Sequence, residues 1–252
     1  MIIDCTTFNG EHELSEIRYN ILSPYVDEFR VIEFDKTFSG KPKESTFKQE
    51  CNKVKHYYVT EDIWSKYEYL ASVSPNTQYG TGAKHWITEF CMKESIQDCL
   101  EDIEPNATLL IGDVDEIWIP QALDLKHAKL KLDVYTYWLN NKSSEQFWGT
   151  IICRYGDIKN KVLNHVRSGA PKSKQSFGWH FTSQGGYGKI RDKLTDSYTR
   201  DSYANDSVLD SLENNIQNNK DFLGRDFKYE IDESEWPRYL KRNKNKYKHL
   251  IK

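Results

Sequence analysis

Ala107-Thr108-Leu109-Leu110-Ile111-Gly112 is followed, without a spacer, by Asp113-Val114-Asp115-Glu116. A continuous apolar run bounded by polar residues is what a strand buried in a parallel sheet requires. In open α/β sheets ligands gather beyond the carboxyl ends of the strands, so three carboxylates stand where a site is expected. Working outward, residues 2–8 are a short apolar and β-branched run, and residues 11–22 carry Leu14, Ile17, Ile21 and Leu22 at helical spacing. Glu11 and Glu13 favour that helix's N-terminus, and Pro24 ends it. Residues 28–34 read as a second strand and 54–59 as a third, with a loop from 35 to 43 that holds Ser39-Gly40 and Pro42. This strand–helix–strand opening is an α/β signature.

Residues 74–82 contain Pro75, Asn76, Gly80 and Gly82 and read as a loop. Residues 83–101 read as a helix with Ile87, Phe90 and Cys91 on one side. Past Pro120 the pattern changes. Residues 130–139 and 147–154 look like strands, 156–178 like loops of an acceptor side, and 186–223 like a largely helical stretch. From Lys241 onward six of twelve residues are Lys or Arg, which reads as a solvated terminal helix or tail able to make weak contact with a membrane or glycan surface.

The 252 residues suit one large domain or two small ones, and a hydrophobic share of 38% supports a substantial core. A formal net charge of −3 gives no nucleic-acid coat. Five cysteines without a CxxC pair argue against a thiolate zinc site and for a reducing compartment. The first residues read as a strand rather than a secretory signal, and no apolar run approaches the roughly 20 residues that span a bilayer. The sequons at Asn106 and Asn141 then read as chance matches, and the expected location is cytoplasmic. Sixteen tyrosines, 11 phenylalanines and seven tryptophans offer flat faces for sugars or bases, or simply large core residues.

Two carboxylates at i and i+2 after a buried strand repel one another and are costly when unpaired. A divalent cation, Mn2+ or Mg2+, removes that cost and leaves coordination positions for a diphosphate. In an extended segment Asp113 and Asp115 face one site and Glu116 another; a turn at Val114 would undo that separation. Asp115 is the best direct ligand, whereas Asp113 reaches a ribose or binds the ion through water. A nucleotide sugar breaking at its anomeric carbon would leave a diphosphate whose charge such an ion stabilises. Inversion also needs a base, for which Glu116 comes first and Glu145, Asp201 and Asp206 follow. His180, in Gly178-Trp179-His180-Phe181, is the second metal candidate, with His165 as the spare. Metal-dependent phosphohydrolysis and a non-catalytic sugar-binding module are the rival readings. A P-loop is absent.

Several ordered segments resemble glycosyltransferase family 17, the β-1,4-mannosyl-glycoprotein β-1,4-N-acetylglucosaminyltransferase family. They are Phe8-Asn9-Gly10-Glu11, Leu14 through Arg18, Val26 through Glu33, Thr37 through Lys43, Asp113 through Ile117, Phe177 through Ser183, and Pro237-Arg238-Tyr239-Leu240. Trp118 stands where the family's acidic pattern has proline. The resemblance implies a GT-A type single domain with a mixed, mainly parallel central sheet flanked by helices. Residues 1–120 would form its nucleotide-sugar-binding half, and 121–252 its acceptor-binding half and C-terminal helices. It also implies an inverting mechanism, a divalent metal on Asp115 and His180, and a nucleotide-sugar donor, UDP-N-acetylglucosamine first, with a carbohydrate acceptor. Glu11, Arg18, Glu33 and Trp179 become donor-side candidates, with an internal ion-pair network that braces the first helix against the second strand as the alternative for the first three. Animal members are anchored in the secretory pathway, and the lack of an anchor here points to a microbial or viral setting.

Overall fold

The computed structural model describes residues 1–49, 51–74, 84–197 and 205–252. The chain opens with β1 (Ile2–Phe8), α1 (His12–Leu22), β2 (Glu28–Phe34) and β3 (Val54–Val59). Short helices α2 (Glu61–Trp64) and α3 (Glu68–Val73) and the longer α4 (Lys84–Glu94) lead to β4 (Thr108–Asp113) and β5 (Glu116–Trp118). The second half holds β6 (Ala128–Thr136), β7 (Asn141–Arg154), α5 (Tyr155–Ile158), α6 (Leu163–Gly169) and β8 (Lys172–Thr182). Helices α7 (Gly186–Asp192) and α8 (Asp206–Gln217), strand β9 (Tyr229–Ile231) and α9 (Arg238–Arg242) complete it.

Among the described residues one nine-stranded sheet runs in the order β3-β2-β1-β4-β7-β6-β8-β5, with β9 paired to β7. Strand β4 lies four places from β5 in that order, yet only Val114 and Asp115 join them in sequence. A two-residue connection cannot span four strand spacings of about 4.8 Å each, so this half of the sheet curls back on itself. Curling brings the ends of β4 and β5 beneath the same opening. Two apolar layers cover the two faces, one around Ile17, Leu110, Leu130 and Phe181, the other around Cys5, Phe90, Ile111 and Ile151.

The α/β reading and the first three strands agree with the sequence. The sheet is not mainly parallel: β1–β2, β1–β4, β2–β3 and β6–β8 pair parallel, whereas β4–β7, β5–β8, β6–β7 and β7–β9 pair antiparallel. Each of these antiparallel pairs includes β7 or β8, strands of the second half, and β6 and β7 pair so because the chain returns directly from one to the other. Within 156–178, α6 and most of β8 replace the expected loops. The exposed lysines of Lys172-Ser173-Lys174 hide a strand whose apolar residues begin only at Phe177. The basic C-terminus is docked rather than loose, with Leu240, Tyr247 and Leu250 buried. Lys244 pairs with Glu233 at 2.7 Å, and Lys246 pairs with Glu16. No helix among the described residues is long and apolar enough to cross a membrane.

Candidate active site

The acidic segment turns at Val114–Asp115, between β4 and β5. That turn sends the first two carboxylates to different neighbours instead of one. Thr7 lies opposite Asp113 in the β1–β4 register and donates its hydroxyl to Asp113 Oδ1 at 2.7 Å. Lys93 of α4 stands 3.4 Å from the other oxygen. Burial alone would raise the Asp113 carboxyl, but the charges of Lys93 and Arg167 hold it well below the usual range.

Asp115 points to β8 instead, where its Oδ2 lies 3.5 Å from His180 Nε2. Glu116 pairs in register with His180 across β5 and β8, which fixes the imidazole beside the turn. The ring stacks on Phe147, centroids 4.0 Å apart, and Nδ1 has no hydrogen-bond partner among the described residues. Burial opposes charging both partners. Even so, the ion pair wins, raising the His180 pKa and lowering that of Asp115.

The Glu116 side chain enters the curl of the sheet. It is 2% exposed, and its Oε2 accepts from Thr150 Oγ1 at 2.8 Å and from the Asp113 amide at 3.3 Å. A Cβ on Gly149 would fall 2.4 Å from this carboxyl group, so glycine there makes the space. Burial first, then the Asp113 charge, pushes the Glu116 carboxyl above its ordinary value.

Over the turn opens a cavity of about 710 Å³, lined by Glu11, Lys43, Lys93, the three acidic residues and His180 among others. Glu11 is thus in the cavity, where its carboxylate accepts from the Asn9 amide at 2.6 Å. Three other donor-side candidates are not. Arg18 is wholly buried and binds Asp4 through two hydrogen bonds of 2.6 and 2.7 Å. Its remaining nitrogen donates to the Glu116 carbonyl at 2.5 Å and, at 3.4 Å each, to those of Asp113 and Val114. It braces the turn from below. Glu33 accepts from Ser45 Oγ at 2.6 Å and from the Thr46 amide at 2.8 Å, tying down the loop after β2. Alternation along β8 sends Trp179 away from His180, and its indole donates to the Glu235 carbonyl at 2.8 Å.

Among the rival bases, Glu145 pairs with Arg225 at 3.2 Å outside the cavity. Asp206 is exposed at the start of α8, and Asp201 lies outside the described residues. His165 is exposed on α6. Sequence reasoning missed Thr7, Lys93, Phe147 and Asp4. Only Asp4 left a signal, as a carboxylate inside an apolar strand.

No group of three or more His, Cys, Asp or Glu among the described residues is arranged to hold a metal alone. The Asp115–His180 pair does fit a divalent ion in part. Its 3.5 Å separation is within about half an ångström of the ~3 Å between adjacent ligands of an octahedral ion, and one oxygen plus one imidazole suits Mn2+.

These features define an α/β protein with an acidic turn at a strand end under a polar cavity. The chain belongs to glycosyltransferase family 17, whose model matches residues 1–187, and it is a glycosyltransferase. No curated protein matches it. Among solved structures, the apo crystal structure of mouse xyloside xylosyltransferase 1 shares 9% identity with it, covering 65% of this chain and 69% of that one. The TM-score is 0.31, too low to carry any argument.

Proposed function

We propose that the chain is a GT-A-type inverting transferase that moves a sugar from a UDP-linked donor, UDP-N-acetylglucosamine first, onto a glycan hydroxyl with the help of Mn2+ or Mg2+. The observation that carries this is the Asp115–His180 pair, 3.5 Å apart at the floor of a cavity of about 710 Å³. Bound there, the ion would neutralise the charge that grows on the leaving diphosphate. The protein's own part is positional. Arg18 fixes the carbonyls of the turn, and Phe147 sets the imidazole plane. Lys93, beside Asp113, adds positive charge where phosphate oxygens would lie.

Calorimetry with UDP and Mn2+ tests this. Asp115→Ala should weaken cation-dependent UDP binding by more than the roughly 10- to 100-fold lost when even outer partners of a metal site are removed. Equal binding by the two proteins would sink the cation assignment. His180→Ala should act in the same direction.

Glu116 remains the candidate base, because burial and Asp113 raise its proton affinity toward the working range of a base. Glu116→Gln should lower turnover by about 10²–10⁴ with cation-dependent UDP binding unchanged. If single-turnover rates with a panel of UDP-sugars survive the substitution, Glu116 only braces the turn.

A further inference from the structure

The net charge is −3, yet one strip of the second half gathers cations. Across β6 and β7, Lys131 sits in register with Trp148. Across β6 and β8, Lys129 sits in register with Lys172. The Lys172 charge opposes that of Lys129, where an opposite charge would favour it. The indole of Trp148 donates to the Ser173 carbonyl at 3.1 Å. Lys172 Nζ lies 4.5 Å from the ring centroid and Lys131 Nζ 5.7 Å.

Lys129 feels the charges of both the strip and the acidic turn. Burial, then the Arg167 guanidinium, then Lys172 and Lys93 hold the Lys129 ammonium below its ordinary pKa, against the pull of Glu116. Arg167 also acts on Asp113, and Lys93 lines the cavity. Lys172 is exposed, while Trp148, Lys129, Lys131 and Arg167 are half-buried. Of the cations named here Lys93 alone lines the cavity, and the strip ends at an aromatic ring flanked by two ammonium groups. Asp133, two residues beyond Lys131, bounds it.

We propose that this strip is an acceptor subsite for an anionic saccharide, its carboxylate or phosphate groups meeting the lysines and a sugar ring meeting Trp148. Converging cations bind such groups through charge-assisted hydrogen bonds, and a cleft of one sign concentrates the opposite charge. This rests on the transferase reading above and names the class of its acceptor.

The test is calorimetry on the full chain with three tetrasaccharides: tetragalacturonate, phosphorylated mannotetraose and neutral mannotetraose. UDP with Mn2+ is titrated separately. At least one anionic probe should bind about tenfold or more tightly than the neutral one, with the advantage shrinking as salt rises. The tighter of the two identifies carboxylate or phosphate as the group read. The double variant Lys131→Glu/Lys172→Glu should abolish the advantage and leave UDP binding unchanged. Trp148→Leu should weaken all three probes; the lysine variant decides the matter if Trp148→Leu does not fold.

Equal affinity for charged and neutral probes would overturn the proposal, as would a preference that survives the lysine variant. So would lysine-dependent capture on phosphatidylserine–phosphatidylcholine vesicles with no tetrasaccharide bound. Loss of UDP binding by the wild type, with the anionic preference intact, would instead overturn the donor reading and leave the subsite standing.

Discussion

Arg18→Met is expected to destabilise the protein by about 3–5 kcal/mol, the usual cost of removing one partner from a buried ion pair. Asp4 is 1% exposed and Arg18 is fully buried, so the aspartate left behind has no solvent to turn to. The Asp4 carboxylate also accepts from the Trp118 indole at 2.8 Å. One buried anion therefore joins β1, α1 and β5, and the guanidinium extends the link to three carbonyls of the acidic turn. For a chain of this size the loss corresponds to a fall in Tm of roughly 6–20 °C, readable by calorimetry.

The double variant Asp4→Leu/Arg18→Met separates stability from function. Replacing both charges with apolar groups removes the unpaired ion, and such replacements are often neutral or stabilising. Much of the stability should return, less about 1–3 kcal/mol for the Trp118 N–H that loses its acceptor. Transfer activity should not return, because the carbonyls of Asp113, Val114 and Glu116 would still lack their common donor. Recovery of both would show that the turn holds its shape without Arg18. Full activity in the single variant would remove Arg18 from any positioning role.

Strands β1 to β4 and helix α1 were legible because they announce themselves locally, whereas the short α2, α3 and β5 were not. Ile17, Ile21 and Leu22 repeat at helical spacing, and 107–112 is apolar without interruption. The site was legible as a list of residues but less so as a geometry. Whether Asp113 and Asp115 share a direction depends on the turn at Val114, and no periodicity fixes a two-residue connection between strands that are not neighbours in the sheet. Arg18 and Glu33 fit a motif and face inward all the same, because a buried charge that braces a loop and one that touches a ligand look alike in a string of letters. Strand β8 was obscured by its lysines at 172 and 174. Those charges contradict a buried strand, and the structure resolves the conflict by leaving that end of β8 exposed.

Gly178→Ala is the second substitution with a large expected effect. Gly178 sits opposite Trp118 in the β5–β8 register with φ of +148°, a backbone that L side chains rarely adopt. A Cβ there would fall 2.1 Å from the Ile117 carbonyl oxygen and 2.7 Å from the Trp118 Cα. Both are backbone atoms, so no rotamer change relieves the contact and β5 must move off β8. Strain and overpacking each cost about 1–3 kcal/mol, and the displaced pairing includes Glu116 with His180. Asp115 and His180 should separate with it, so that the Mn2+ binding proposed above should weaken as Tm falls. Gly186→Ala is the matched control. Its φ is +81°, yet nothing lies within 4 Å of the added methyl, so it should lose only the left-handed backbone term of about 1–2 kcal/mol and keep its Mn2+ affinity. If the two alanine variants melt together and bind the ion equally, the close approach of β5 and β8 is not what holds the metal candidates in place.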